Sequence, residues 1–238
     1  MVSREPLLLI VAADRRELTG VVRRAAAFGR LDIGARWSRL GALAGGGVVL
    51  AANGAGRANA ARAVEQACQR LPVRAVVSAG WCAGLDEALW PGQVVIAERV
   101  VSLDPPAQYP ARSPAGQVAR RGEVLTVDRF VQTAEEKQEL RRQGALAVEM
   151  EAAGVAAEAQ KRNLPFYCVR AVSDGARRSF RIDYNRARLS DGRFSAFRIA
   201  ALAGLSPARW RELLDFWREA RSAAEALGEY LGSCSFDG

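Results

Sequence analysis

Runs of consecutive apolar residues alternate along this chain with stretches of helical periodicity. An uninterrupted apolar run of strand length, such as LLLIVA at residues 7–12, is typical of a parallel strand buried on both faces. The predicted strands cover residues 7–12, 48–52, 75–78, 93–97, 122–127 and 166–172. The predicted helices cover residues 18–27, 58–70, 134–143, an Ala-rich stretch that ends near residue 162, and 208–231. This alternation predicts an α/β protein.

One strand–helix–strand unit carries several acids. The stretch from Ala145 to Asp174 has the sequence ALAVEMEAAGVAAEAQKRNLPFYCVRAVSD. Glu149 and Glu151 fall at its first junction, Pro165 ends its helix, and Asp174 falls at the end of its second strand. Open α/β sheets bind ligands outside the carboxyl ends of their strands, so we expect these acids to belong to a site.

The composition limits the chemistry of that site. The chain contains no histidine, which excludes a Ser-His-Asp triad, a Cys-His dyad and a His-ligated zinc site. Carboxylates must therefore carry any acid–base chemistry. Gly54 and Gly56 follow a predicted strand, but the third glycine of a dinucleotide fingerprint is missing, so no cofactor is predicted. Isolated cysteines without metal-ligand spacing predict free thiols and no metal site: Cys68, Cys82, Cys168 and Cys234.

Size and charge bound the class of protein. A length of 238 residues favours one α/β domain over residues 1–238. The formal charge of +8 comes from arginines spread over the whole chain, which argues against nucleic-acid binding. No apolar run reaches the roughly 18–20 residues that span a bilayer, and residues 1–12 lack the pattern of a signal peptide. We therefore predict a cytoplasmic protein.

The central unit also carries a family resemblance. AVEMEAAGVAAEA followed by VRAVSD resembles the signature of the nucleoside phosphorylase and nucleosidase superfamily, and especially of its 5′-methylthioadenosine/S-adenosylhomocysteine nucleosidases. The resemblance implies a single-domain, three-layer α/β/α fold with a central mixed sheet. It also implies an enzyme that acts on a purine nucleoside and forms homo-oligomers. It covers about residues 7–174, with a divergent, Pro-rich gap at residues 101–117 that is predicted to be irregular.

Five residues receive roles from the resemblance. Asp174 would donate a proton to N7 of the purine, a role that requires a carboxyl group kept protonated by burial. Glu151 would accept hydrogen bonds from the ribose hydroxyls, and Met150 would lie against the sugar. Glu17, after the first strand, would activate the attacking water, and Arg170 would hold Glu17 or the water in line. Alternatively, these acids cap the helices that follow them.

Five further residues complete the expected site. Glu149 is a supporting acid, and Ser173 stands beside the proposed proton donor. Phe130 would stack on the purine and Val131 would contact it through its backbone, although core packing is the alternative for Phe130. In the loop predicted at residues 79–85, Trp81 occupies the position at which phosphorylases have a phosphate-binding serine. Indole carries no charge, so this difference favours hydrolysis over phosphorolysis and makes Trp81 a candidate pocket wall.

The C-terminal segment departs from the small-substrate nucleosidases. A divergent helical extension is predicted from about residue 184 to 238. In its last helix, an apolar stripe at i, i+3, i+4 and i+7 is expected to pack on the sheet, or else to contact a membrane surface peripherally: Trp210, Leu213, Leu214 and Trp217. This tail resembles the hopanoid-associated branch, which removes adenine from adenosylhopane. Methylthioadenosine-type substrates, a phosphorylase and a non-catalytic nucleoside- or membrane-binding paralogue are the alternatives.

Overall fold

The structure is a computed structural model that describes residues 5–43 and 46–236. Residues 1–4, which enter the signal-peptide argument, lie outside the described residues. The strands are β1 (Leu7–Ala12), β2 (Ala26–Arg30), β3 (Trp37–Leu43), β4 (Gly46–Ala52), β5 (Val73–Gly84), β6 (Val94–Leu103), β7 (Pro106–Pro110), β8 (Arg120–Thr126), β9 (Ala147–Glu149) and β10 (Phe166–Asp174). The helices are α1 (Thr19–Arg24), α2 (Arg57–Cys68), α3 (Ala134–Arg141), α4 (Ala152–Lys161), α5 (Tyr184–Ala187), α6 (Ala196–Ala203) and α7 (Pro207–Ser233).

The strands form one mixed sheet with the order β10-β6-β8-β9-β5-β1-β4-β3-β2, and β7 pairs with β6. β5 runs parallel to β1 and β10 but antiparallel to β9, and β6 runs antiparallel to β10. β10 pairs with both β5 and β6, so the strands from β10 through β5 close on themselves. The central mixed sheet is the one that the resemblance predicted.

Helices cover both faces of the sheet, which confirms the three-layer architecture. Alternate residues of β1 point to opposite faces because the side-chain period of a strand is two. Leu9 belongs to the cluster that includes buried residues of α2 and α4, whereas Ile10 belongs to the cluster that includes buried residues of α1 and α7. The two clusters together form the core.

Two glycines bring α1 close to α7. A Cβ atom on Gly20 would lie 2.2 Å from the carbonyl oxygen of Ala224, and one on Gly228 would lie 2.1 Å from the carbonyl carbon of Gly20. Backbones can approach this closely only where both helices lack side chains. This crossing fixes the start of α1, and therefore the turn that precedes it.

Several predicted boundaries are wrong. The helix predicted at residues 18–27 ends at Arg24, and Ala26 begins β2, which pairs with the equally unpredicted β3. Pairing in the sheet overrides the helix propensity of these alanines. Residues 79–84 belong to β5 and are not a loop, and residues 106–110 form β7 within the segment predicted to be irregular. Both segments gain ladder hydrogen bonds that only the tertiary structure supplies.

The tryptophan stripe does not pack on the sheet as predicted. Trp210, Leu214 and Trp217 are 42%, 56% and 54% exposed. The second half of α7 packs there instead, through small and apolar residues such as Ala223 and Leu227. Among the described residues, no helix is long and apolar enough to cross a membrane.

Candidate active site

Nine of the ten predicted site residues line one small cavity at the carboxyl ends of β1, β9 and β10. Its volume is about 120 Å³. The nine are Glu17, Trp81, Phe130, Val131, Glu149, Met150, Glu151, Ser173 and Asp174. The tenth, Arg170, is fully buried in β10 and pairs with two of these acids. The sequence pattern therefore identified side chains that the fold brings together.

Arg170 organises the acids at one side of this cavity. Its Nη2 lies 2.5 Å from Glu149 Oε2 and donates to Ser78 Oγ at 2.6 Å. Its Nη1 lies 3.6 Å from Glu151 Oε2 and, like Nε, has no hydrogen-bond partner within the described part of the chain. Glu17 interacts with the guanidinium through charge without an ion pair, so Arg170 does not hold Glu17 in line by direct contact. Three carboxylates thus share one cation.

Glu149 has a structural position. Thr126 Oγ1 donates to its Oε1, and the backbone amides of Glu151 and Ala152 donate to its Oε2, each at 2.8 Å. These amides are unpaired donors at the start of α4, where a carboxylate is favourable. The helix-capping alternative therefore holds for Glu149, and its hydrogen bonds fix the backbone that carries Glu151.

Glu17 is held in the turn between β1 and α1. Its Oε1 accepts from the Asp14 amide at 2.7 Å, and its Oε2 accepts from the Trp81 amide at 2.9 Å. It is 4% exposed, so it is not the exposed helix acid of the alternative interpretation. A Cβ on Gly80 would lie 2.0 Å from Glu17 Oε2 and 2.8 Å from Arg170 Nη1. Only glycine leaves room for both side chains.

Burial raises the pKa of two of these carboxyl groups, those of Glu17 and Glu151. Burial, followed by the negative charge of Glu151, raises the pKa of Glu17 to about 8. Burial, followed by the charge of Glu149, raises the pKa of Glu151 to about 7. Arg170 opposes both shifts, and the Gly56 amide helps by donating to Glu151 Oε1 at 3.0 Å. A group with a pKa near neutrality suits proton transfer at neutral pH.

Asp174 meets a partner that sequence reasoning missed. Lys137 is predicted on the polar side of its helix, but it is fully buried, and its Nζ lies 2.6 Å from Asp174 Oδ2. The same ammonium donates to the carbonyl oxygens of Gly175 at 2.9 Å and Arg178 at 3.0 Å. Its three donors are therefore all used. The available signal was that a chain with 34 basic residues has only two lysines, Lys137 and Lys161.

Ser173 touches the other oxygen of the same carboxyl group. Its Oγ lies 2.7 Å from Asp174 Oδ1 and 3.1 Å from the carbonyl oxygen of Cys82. A hydroxyl group has one proton, so it can donate to only one of these acceptors at a time. The two oxygens of Asp174 are thus distinguished: Oδ2 is fixed by an ammonium group, whereas Oδ1 has a partner that can turn away.

A second, larger cavity opens from the first. It has a volume of about 400 Å³ and shares Glu17, Trp81 and Phe130 with the small cavity. Aromatic and aliphatic residues, largely from α6, α7 and the segments before them, provide most of its apolar surface: Tyr184, Phe194, Ile199, Leu213, Phe216 and Trp217. Phe194 and Phe216 also line the small cavity, and charged residues complete the lining: Asp14, Arg16, Arg23, Arg193 and Arg221. We call this second cavity the apolar chamber. The divergent segment at residues 101–117 lines neither cavity.

Phe130 and Trp81 stand between the two cavities. The Phe130 ring packs among Phe180, Tyr184, Phe194 and Phe216, with ring centroids 4.8–6.3 Å apart. Core packing, the alternative for Phe130, therefore applies, although the residue also lines the cavity; stacking on a purine stays a prediction. The indole nitrogen of Trp81 is buried without a partner among the described residues. It is a free donor beside the site.

The chain matches known proteins over most of its length. The family model of the phosphorylase superfamily matches residues 9–200, which leaves α7 outside the match. A 5′-methylthioadenosine/S-adenosylhomocysteine nucleosidase from Staphylococcus saprophyticus is 27% identical over 155 residues, 53% of this chain and 68% of that protein. The enzyme of the same name from Staphylococcus aureus is 29% identical over 155 residues, with the same shares covered.

Solved structures share the fold. The 5′-methylthioadenosine/S-adenosylhomocysteine nucleosidase from Neisseria meningitidis, in complex with methylthio-immucillin-A, has a TM-score of 0.73 and 22% identity, over 96% of this chain and 97% of that one. Futalosine hydrolase from Helicobacter pylori has a TM-score of 0.70 and 17% identity, over 95% of both chains. At these identities the likeness concerns the fold.

Proposed function

Because the chain belongs to the phosphorylase superfamily, we propose that it is a purine nucleosidase that hydrolyses the N-glycosidic bond of an adenosine with a large apolar 5′ substituent. Family membership and the nucleosidase relatives support cleavage of an N-glycosidic bond. One observation carries the rest of the proposal. An acid-lined cavity that fits the predicted chemistry continues directly into the apolar chamber.

The leaving base needs a proton, and Asp174 is placed to supply it to N7. Lys137 holds Oδ2 at 2.6 Å, so Oδ1 is the oxygen that would carry the proton to the base. Ser173 can vacate Oδ1 by turning its hydroxyl to the Cys82 carbonyl oxygen, 3.1 Å away. Phe130 and the backbone of Val131, which line the same cavity, would contact the purine.

The sugar and the water would meet the glutamates. As the bond to the base breaks, positive charge develops on the sugar, and the Glu151 carboxylate would stabilise it while accepting from the ribose hydroxyls. Met150 offers an apolar surface to the sugar. Glu17 would take one proton from the attacking water while Asp174 gives one to the base, so the two transfers balance. The pKa of about 8 for Glu17 predicts a rate that rises with pH up to that value.

The charges of the side chains around the small cavity favour hydrolysis over phosphorolysis. Trp81 stands where phosphorylases have a serine, and Arg170 is already engaged by Glu149 and Glu151. Among the described residues that line the small cavity, the cation is Arg129, which pairs with Glu136 at 2.6 Å. A phosphate dianion in the small cavity would therefore meet three glutamates with little uncommitted positive charge, because the further arginines, Arg16, Arg23, Arg193 and Arg221, line the second cavity instead.

The 5′ substituent is inferred from the apolar chamber. Leu213, Phe216 and Trp217 on α7 lie beyond the residues that the family model matches, so family membership does not determine the chemistry of this wall. An aromatic and aliphatic chamber favours an apolar group, and the tail resembles the hopanoid-associated branch. Adenosylhopane is therefore our proposed substrate, and methylthioadenosine-type compounds are the alternative. Homo-oligomerisation and a cytoplasmic location stay predictions.

The proposal is tested by adenine release from adenosine, methylthioadenosine and a 5′-alkylthio adenosine, each with and without phosphate. We expect release without phosphate, and about 10²–10⁴-fold less in Asp174→Asn. Release only with phosphate would make the protein a phosphorylase. No release from any substrate would favour the non-catalytic paralogue.

A further inference from the structure

The helical arm formed by α6 and the first half of α7 is apolar on two faces. A surface helix normally presents one apolar stripe, which packs on the core. The inner face does so around Phe130: Ile199, Leu202, Leu213 and Phe216. A second set of large apolar residues of the arm faces outward: Phe197, Leu205, Trp210, Leu214 and Trp217. The members of this second set are 42–101% exposed, and clusters of exposed apolar residues mark contact surfaces.

The second set forms a continuous strip. Trp210, Leu214 and Trp217 follow each other at i, i+4 and i+7, so they lie on one side of α7, and Arg221 continues that side at i+11. The indole N–H of Trp210 donates to the carbonyl oxygen of Gly204 at 2.9 Å, which places fully exposed Leu205 beside it. We call Leu205, Trp210, Leu214 and Trp217 the outer stripe.

Positive charge accompanies the outer stripe. Residues 193–221 contain six arginines and three acids. Each acid is already engaged: Glu212 accepts from the amides of Arg181 and Ile182, Asp215 pairs with Arg218 at 2.9 Å, and Glu219 pairs with Arg178. Arg193 pairs with Asp191 and Arg218 with Asp215, whereas four arginines have no ion pair among the described residues: Arg198, Arg209, Arg211 and Arg221. The strip therefore combines apolar groups with an excess of positive charge.

Trp217 joins this strip to the substrate site. It is 54% exposed and also lines the apolar chamber. The guanidinium of Arg16, another residue of the chamber lining, lies 5.6 Å from its ring centroid. Arg221 lines the chamber as well. The chamber thus opens beside the outer stripe.

We propose that the outer stripe and its arginines dock on the surface of an anionic lipid bilayer, with the chamber opening toward the lipid. Tryptophan and arginine on an amphipathic helix suit the interface between headgroups and acyl chains. A second copy packed through the same face about a twofold axis would instead bring the arginines against one another. The purpose of docking, capture of a nucleoside with a lipid-like 5′ group, rests on the proposed function; the contact itself does not.

The test is flotation of the full chain with phosphatidylcholine vesicles, with and without phosphatidylglycerol. We expect binding only to the anionic vesicles, weakened by high salt. The double variant Leu205→Glu/Leu214→Glu should lower the bound fraction about tenfold or more, and so should Arg211→Glu/Arg218→Glu. The matched control is Val118→Glu, which changes an apolar residue that is 99% exposed outside the arm and should bind like the wild type.

Nucleosidase activity is measured on the same samples with methylthioadenosine, a substrate that needs no membrane. Leu205 and Leu214 line neither cavity, so the double variant should retain the wild-type rate. Vesicle binding without adenine release from either methylthioadenosine or the 5′-alkylthio adenosine would support docking and refute the proposed function. Equal binding by wild type and the Leu205→Glu/Leu214→Glu variant, or no binding by the wild type, would overturn the docking proposal. The docking proposal would also be overturned if sedimentation velocity showed a dimer that Leu214→Glu dissociates, because the outer stripe would then bind a second copy of the chain.

Discussion

Two buried ionic groups line the candidate site, and they differ in how their charges balance. Around Arg170, one guanidinium faces three carboxyl groups, those of Glu17, Glu149 and Glu151. Around Asp174, one carboxyl group faces one ammonium group, that of Lys137. Excess negative charge in the first group helps to raise the pKa of Glu17 and Glu151 after burial itself. The comparison separates a cluster with excess negative charge, suited to taking a proton from water, from a pair that fixes the carboxyl group of Asp174, the proposed proton donor.

The largest effect is expected from Arg170→Met, which leaves three buried carboxyl groups without their cation. Breaking a buried ion pair costs about 3–5 kcal/mol of unfolding free energy. Arg170 forms ion pairs with both Glu149 and Glu151, so we expect a loss at the upper end of that range, and we expect no activity. Urea denaturation at neutral pH measures the loss. The control is Arg142→Met, which removes an exposed pair with Glu139 and should cost less than about 1 kcal/mol. Similar losses in the two variants would refute the central role of Arg170.

Lys137→Met should cost somewhat less, about 3–4 kcal/mol, because it leaves a single carboxylate buried without its partner. The double variant Lys137→Met/Asp174→Asn removes both charges and should recover most of that loss, which a double-mutant cycle measures. If the two single losses simply add in the double variant, then the pair at 2.6 Å does not act as a unit.

At high pH, Glu17→Gln should make the protein more stable relative to the wild type, whereas the two changes above lower stability. The pKa of Glu17 is raised in the folded protein, from an ordinary value of 4.5 to about 8, so its stabilising effect is fully present below about pH 4.5 and is lost as pH rises through about 8. The variant cannot ionise at this position, so the fall in stability between about pH 4.5 and pH 8 that Glu17 causes should be absent from it. Its adenine release should fall about 10²–10⁴-fold.

Denaturant titrations at several pH values check the slope for Glu17→Gln. The neutral amide cannot accept from both the Asp14 and Trp81 amides, so a small constant loss of stability can accompany the change. An unchanged slope between pH 5 and pH 8 would contradict the raised pKa of Glu17.

The smallest effect is expected from Ser173→Ala. It removes one hydrogen bond to Asp174 Oδ1, worth about 0.5–1.5 kcal/mol, and leaves the Lys137 pair intact. We expect kcat to fall about tenfold or less and the unfolding free energy to fall by about 0.5–1.5 kcal/mol. A loss as large as that of Asp174→Asn would mean that Ser173 does more than orient one oxygen.

The comparison also shows what the sequence could predict. Continuous apolar runs identified β1 with its observed bounds and most of β10, because buried strands need such runs. The motif resemblance placed Glu17, Glu151 and Asp174 in one cavity although they are far apart in sequence. These successes depend on patterns that local sequence carries.

The rest depends on contacts that local sequence does not carry. Lys137 pairs with Asp174, which lies 37 residues later in the sequence. Helical periodicity places a lysine on the polar side of a helix and carries no information about a distant carboxylate. β2 and β3 lack a strong apolar pattern and exist because β2 pairs with β3 and β3 pairs with β4. The amphipathic spacing of Trp210, Leu213, Leu214 and Trp217 predicts a buried stripe, but three of these residues are exposed. Spacing alone does not determine which of two apolar faces of a helix packs on the core.

The most direct test of the central claim compares two substrates in phosphate-free buffer: kcat/KM for adenine release from 5′-hexylthioadenosine and from methylthioadenosine. Each buried methylene contributes about 0.8 kcal/mol, so the account predicts a preference of tenfold or more for the hexyl compound. Leu213→Gln, inside the chamber, should reduce this preference, whereas Leu214→Gln, on the neighbouring exposed position, should not. Equal values for the two substrates, or a preference for the methyl compound, would contradict it.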